Sequence, residues 1–206
     1  MYPRLIRADG VPAGSTMRFR LVYDGELKAA GNNSSRAAEK WGLRKAFCPQ
    51  LASLAATHPV MRGIGLTTKT DRRRAVRPAV VDVDVTSGHQ KNREAILGPI
   101  ELGNHRFIPL VRRSLALVCD LDILFLRNDA PGSIVKSGGD LDNRIKTLFD
   151  GLRMPTLDEL KVGQPDVDPF YCLLENDDHI SGFAVHTDRL LTDPSRSERR
   201  VLLVSI

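Results

Sequence analysis

The segment GGDLDNRIKTLFDGL, Gly138 to Leu152, concentrates the residues best suited to chemistry on a phosphate. Asp140 and Asp142 stand two apart ahead of an amphipathic helical pattern, and Lys146 follows Asp142 by four residues, one helical turn. Magnesium takes oxygen ligands in near-octahedral geometry, keeps several waters, and is usually held by one or two carboxylates plus a substrate phosphate. If the lead-in is extended, the two Asp side chains point the same way, while Leu141 between them points to the core. Lys146 then faces negative charge developing on a phosphate, and Asp150 continues the same helix face.

One acidic pair rarely completes such a site, so a further donor is expected elsewhere. Glu175-Asn176-Asp177-Asp178, at the edge of a predicted strand, is the obvious one. Two metals ~3.5–4 Å apart would clamp the attacking and leaving oxygens of a phosphodiester, and one metal activating a water is the simpler scheme. The same residues admit a plainer account. Asp ahead of a helix caps the N-terminus and suits its dipole. Lys146 and Asp150 can be a solvated pair, and ENDD a turn. On spacing alone both readings stand.

Arg72, Arg73 and Arg74, with Arg77 and Lys69, form the densest basic patch. It suits DNA, because neutralised phosphates release counterions; it equally suits a solvated loop. Arg112-Arg113 and Arg199-Arg200 flank strands and would extend a basic surface, though solvated flanks are the favoured reading. Asp82/Asp84 and Asp120/Asp122 are further Asp-x-Asp pairs, expected on solvent faces of strands, with Asp122 the better placed for a site because its strand leads to the motif. His179 admits a role as base or ligand beside the commoner structural one, and Trp41 is expected to lie in the core.

The elements that must position these groups follow from periodicity. Met17–Tyr23 alternates as a strand. Ser34 or Ser35 caps a helix through Trp41 and Phe47, and Pro49 suits the first turn of a second helical piece with Leu51, Leu54 and Ala55, ended by His58-Pro59. Pro78–Thr86 alternates with period two, and Ser87–Glu101 gives a mixed signal. Leu115–Leu126 is the strongest strand, with Leu115, Leu117, Cys119, Leu121, Ile123 and Phe125 on one face and Asp120 and Asp122 on the other. Asn128–Gly139 is rich in turn residues. Ile145, Leu148, Phe149 and Leu152 make one helical apolar stripe. Met154–Asp168 reads as a long polar connection and Tyr171–Leu174 as a short strand. Ile180–Thr187 and Val201–Ile206 are two final strands, expected to be joined as a hairpin.

The chain has 206 residues, 42% hydrophobic, 27% charged and only 5% aromatic, with net charge +5. That suits one domain with a core, permits a polyanionic partner and disfavours recognition by rows of stacking aromatics. Three cysteines without a CxxC spacing argue against a zinc site or a disulfide framework and fit a reducing cytoplasm. No signal-peptide pattern or membrane-length apolar run is seen, so a cytoplasmic protein is expected. There is no GxxxxGK[ST] loop and no nucleophile motif, which ranks a phosphatase or nucleotide hydrolase last.

The segment DLDNRIKTLFDGL, followed by a DD pair and closing strands, resembles the RusA-type Holliday junction resolvases, endonucleases with a D-[LI]-D-N-x-x-K-x-x-x-D-[AG]-L segment and a later essential aspartate. Asp140, Asp142, Asn143, Lys146, Asp150 and Leu152 match the segment, and Asp178 matches the later aspartate, with Asp177 supporting it. The resemblance runs from about Leu115 to the C-terminus, with a core motif over 114–206. It implies a single small α/β (α+β) domain over 1–206, with a mixed sheet, packed helices and an insertion at about 63–109. It further implies a symmetric homodimer and Mg2+-dependent cleavage of branched DNA, with Mn2+ as the alternative ion. By the resemblance Asp140, Asp142 and Asp178 bind metal and Lys146 contacts the scissile phosphate. The linker from Leu152 to Glu175 is longer than in the family, and its N-terminal Trp-Pro-Pro-Ser element is missing. The competing expectation, from another class, is a non-catalytic DNA-binding or assembly protein that kept the fold.

Overall fold

A computed structural model describes residues 17–25, 27, 33–64, 98–127, 140–191 and 200–205. The expected strand at Pro78–Thr86, the turn residues of Asn128–Gly139 and the basic patch from Lys69 to Arg77 lie outside them.

The strongest alternation in the sequence becomes the centre of a sheet. β4 (Cys119–Arg127) buries Cys119, Leu121, Ile123 and Phe125 and exposes Asp120 and Asp122. It begins later than the period suggests. Arg113–Leu115 instead forms a 3-10 turn, and Ala116 after it adopts a left-handed φ of 51°, which ends any continuous strand. Leu115 is buried all the same. A four-stranded sheet runs in the order β1 (Arg20–Gly25), β7 (Arg200–Ser205), β4, β6 (Ile180–Arg189). β6 pairs parallel to β4 and β7 antiparallel to it. The expected β6–β7 hairpin is therefore absent: β4 lies between them. Leu190–Arg199 has no two-residue turn signal to force a hairpin, and inserting β4 gives that apolar strand a partner on each edge.

α1 (Asn33–Thr57) runs unbroken through Pro49, where the sequence suggested a boundary. Pro49 and Lys45 are exposed, so the missing helical N–H falls on the solvent side of the helix. The next residue anchors the helix. Gln50 Nε2 donates to Ala46 O (2.9 Å) and Val22 O (2.8 Å), while its Oε1 accepts from Val22 N–H (2.9 Å), so its amide serves both backbone groups of an edge strand. α1 ends before His58-Pro59 as expected, but a further helix, α2 (Pro59–Ile64), starts on that proline, which suits a first helical turn, and buries Met61.

A three-stranded sheet, β2 (Ile100–Leu102), β3 (His105–Val111) and β5 (Phe170–Leu174), packs against α1. β3 and β5 pair in parallel. The last part of the stretch from about 63 to 109 thus supplies Phe107 and Ile108 to the core. One cluster centres on Leu43, Phe47, Ile123, Leu148 and Leu173; a second holds Trp41, Cys48, Phe107, Phe170 and Cys172. The fold is a mixed α/β one. Among the described residues no helix is long and apolar enough to cross a membrane.

α3 (Asp140–Leu152) carries the expected stripe: Leu148 and Leu152 are buried, Ile145 and Phe149 partly so. It begins at Asp140, so Asp140-Leu141-Asp142 is its first turn and not an extended lead-in. Residues two apart on a helix sit ~200° around the axis, so the same-side argument for the two aspartates fails. The connection after α3 is more than a polar linker. Thr156 and Glu159 form a reciprocal capping box that starts the short α4 (Leu157–Leu160).

Candidate functional site

Asp142 and Lys146 form an exposed pair on the outer ridge of α3, Nζ to Oδ2 2.8 Å, with about two-thirds of each side chain open to solvent. The Asp140 carboxylate falls outside the described side chains. A cleft flanks the ridge on each side.

The first cleft, of about 470 Å³, brings α3 together with the acidic turn through Phe149, Asp177, Asp178, Ser181 and Phe183. Its construction is local. β5 ends and Glu175 N–H bonds Val111 O (2.9 Å); Asn176 Oδ1 then accepts from Asp177 N–H (2.9 Å) and starts a 3-10 turn over Asp177–His179. The Phe149 and Phe183 rings meet edge-to-face at 5.2 Å and stitch α3 to β6. Asp178 lies at the mouth, where Arg113 donates to its Oδ2 at 3.2 Å. His179 is buried behind it, Nε2 3.7 Å from Asp178 Oδ1 and 4.0 Å from Glu175 Oε2. Glu175 in turn accepts from Arg113 N–H (2.9 Å). Phe149 follows Asp142 by seven residues and so projects at nearly the same azimuth, about 10 Å along the axis. Asp178 therefore shares a cleft with Phe149, about two turns along α3 from Asp142.

Among the described residues no group of three His, Cys, Asp or Glu side chains is gathered closely enough to hold a metal ion. The donor chemistry itself suits Mg2+. Asp142 and Asp178 are solvent-reachable carboxylates whose cation partners, Lys146 and Arg113, are themselves exposed. An ion that brings its own waters and a substrate phosphate needs only one or two such groups.

The second cleft, of about 410 Å³, lies between α1 and α3 and is lined by Arg36, Lys40, Asn143, Lys146, Thr147 and the acids Asp150, Asp158 and Glu159, with Ala37 and Val162. Its floor is a buried ionic network. Lys40 Nζ reaches Asp150 (2.7 Å) and Glu159 (3.0 Å). Arg153 bonds Asp150 (2.7 Å) and approaches Glu159 (3.4 Å). Arg44, almost wholly buried, donates to Glu159 Oε2 (2.8 Å) and to the carbonyls of Asp150 (2.6 Å) and Arg153 (3.1 Å), capping the C-terminal end of α3. Burial opposes the charge of Glu159, but Arg44, the Thr156 N–H, Lys40 and Arg153 outweigh it and hold its carboxyl down at about 2. Burial lowers the Arg44 pKa against the pull of Glu159. Asp150, part of the matched segment, thus serves to clamp α1 to α3.

The remaining expected residues fall elsewhere. Asp120 accepts from Ser181 Oγ–H at 2.7 Å, and Asp122 lies 3.6 Å from His186 Nε2. Both face away from the buried side of β4, as the alternation indicated. Trp41 is buried and donates its Nε1–H to Glu159 O (2.9 Å). Burial pushes the thiols of Cys119 and Cys172 up to about 12, and that of Cys48 upward, which leaves no activated sulfur nucleophile among them. Sequence reasoning missed Arg36, Lys40 and Glu159, and took Arg113 for a solvated flank. Only Glu159 carried a local signal, the Thr-x-x-Glu spacing of its capping box.

Compared with known proteins, the chain matches no family model, no curated protein and no solved structure.

Proposed function

We propose that this protein is a Mg2+-dependent, structure-selective endodeoxyribonuclease acting on branched DNA, in the manner of the RusA-type resolvases its motif resembles. The observation that carries the reading is the exposed Asp142–Lys146 pair on α3 beside the cleft that holds Asp177 and Asp178. Asp142 and Asp178 would hold the ion, which when bound activates a water and neutralises phosphate charge. Lys146 exchanges its exposed partner Asp142 for a non-bridging phosphate oxygen, at small cost because a solvated ion pair contributes ~1 kcal/mol or less. Arg113, released from Asp178, supplies a second cation to the same phosphate. His179, buried behind Asp178, fixes the acidic turn. A two-fold homodimer would offer two equivalent sites to two equivalent strands of a junction, in the cytoplasm where such DNA is met.

A second reading follows from the same two ion pairs. Asp142 and Asp178 are each already neutralised, which suits a DNA-binding protein that no longer cuts. Purified protein with Mg2+ and synthetic four-way junctions separates the two. Paired nicks that vanish in Asp142→Asn, with folding intact, support the nuclease. No nicking across metals and salt, with junction affinity the same in Asp142→Asn, supports the binder.

A further inference from the structure

We infer that the cleft between α1 and α3 is a backbone-phosphate subsite, in which Arg36 grips the DNA strand a few nucleotides from the point of cleavage; that the phosphate belongs to DNA rests on the nuclease reading above. Three observations carry it.

The first is charge. The cleft wall shows three carboxylates, yet each is answered by a cation outside the lining. Arg153 serves Asp150, Arg44 and Arg153 serve Glu159, and Lys161 holds Asp158 at 2.6 Å. Lys40 adds its own charge to the floor. Among the described residues the positive charge of Arg36 at the wall is left over, and Lys146 at the mouth is paired with solvated Asp142. An anion entering the cleft therefore meets an excess of cations backed by low-dielectric protein.

The second is an unmet donor. Arg36 Nε is buried without a hydrogen-bond partner among the described residues. A guanidinium presents its donors as a fork that matches two oxygens of one phosphate, so a phosphate seated here meets a group that the protein itself leaves short. Thr147 offers nothing comparable, since its Oγ–H is spent on Asn143 O at 2.9 Å.

The third is the character of the lining. It contains no aromatic ring on which a base would stack, so the ligand is sugar-phosphate backbone. Lys146 borders this cleft and pairs with Asp142 on the ridge, and the cleft with Asp178 lies across the same helix. A helix with its side chains is about 10 Å wide. A single strand draped over α3 would place one phosphate by Asp142 and Lys146 and another by Arg36.

The test is DNA affinity by fluorescence anisotropy with Ca2+ in place of Mg2+, measured over a range of salt for a four-way junction and a single strand. Arg36→Ala is expected to weaken both about tenfold and to reduce the slope of log affinity against log salt by about 0.7–0.9, one phosphate contact. Arg36→Lys is expected to restore most of the slope, which a merely structural role would not do. Slopes and affinities within twofold of wild type in folded Arg36→Ala, checked by urea unfolding, would overturn the subsite even if junctions are still cut. An Arg36-dependent slope in a protein that cuts no junction would uphold the subsite and remove the nuclease reading.

Discussion

Replacing Glu159 with Gln tests the ionic network beneath α3, because the side chain keeps its shape while losing its charge and exchanging one acceptor oxygen for an amide donor. Glu159 is about nine-tenths buried and faces Arg44, Lys40 and Arg153 at 2.8, 3.0 and 3.4 Å. A carboxyl held at about 2 instead of 4.5 contributes about 3 kcal/mol to folding at neutral pH, at ~1.4 kcal/mol per pH unit. Removing one partner of a buried pair leads to a similar figure, ~3–5 kcal/mol, since Arg44 would keep its charge without its counterion. The folded-state pKa is depressed, so this contribution is fully present above the unfolded value near 4.5 and fades as pH falls toward about 2. Urea unfolding of wild type and Glu159→Gln at neutral pH is therefore expected to differ by about 3 kcal/mol. The gap should close as the buffer is taken down through that window, where Glu159 becomes neutral like Gln. A difference under ~1 kcal/mol at neutral pH, or a gap that stays constant on acidification, would refute the reasoning.

Asp178→Asn and Asp142→Asn should each cut Mg2+-dependent junction cleavage more than ~100-fold, beyond what loss of an outer partner costs a metal site, while shifting stability by under ~1 kcal/mol because both ion pairs are exposed; rate assays and urea midpoints on the same preparations check this. Lys146→Ala should lower the cleavage rate ~10²–10³-fold as a lost charge stabiliser, with the drop in the single-turnover rate at saturating DNA and not in affinity alone. Gly151→Ala should destabilise by ~1–3 kcal/mol, because its new Cβ would come within 2.7–2.8 Å of Leu43 Cδ1 and Cβ; a thermal midpoint equal to wild type would show that α1 and α3 can move apart. Chelation with EDTA should stop cleavage and Mn2+ should restore it, whereas thermal stability should be unchanged, since ring packing of Phe149 on Phe183 joins α3 to β6.

The matched segment now divides by physical task. Asp142 and Lys146 sit on the solvent ridge of α3, where a substrate can reach them. Asp150 and Gly151 look inward to α1: the first is bound by Lys40 and Arg153, and the second gives Leu43 the space to pack. A motif read as one chemical signature thus has a solvent-facing half and a helix-docking half.

Periodicity along the chain determined the elements that matter most. Alternation in Cys119, Leu121, Ile123 and Phe125 encodes which face of β4 is buried, and the 3–4 spacing of Ile145, Leu148, Phe149 and Leu152 encodes which face of α3 docks. These are local patterns, and burial enforces them wherever the element is placed. Starts and partners were not legible in the same way. The helix begins at Asp140 and not after Asp142, Pro49 sits inside α1, and β4 separates β6 from β7, because each outcome depends on what packs alongside. The cations of the site show the same division. Arg36, Lys40 and Arg113 are ordinary surface types in sequence; only tertiary structure sets Arg113 against Asp178, 65 residues away, and Lys40 against Glu159, 119 away. Charge pairing across such distances leaves no periodic trace, so the chain announces its acids and its apolar faces, while the fold alone chooses their partners.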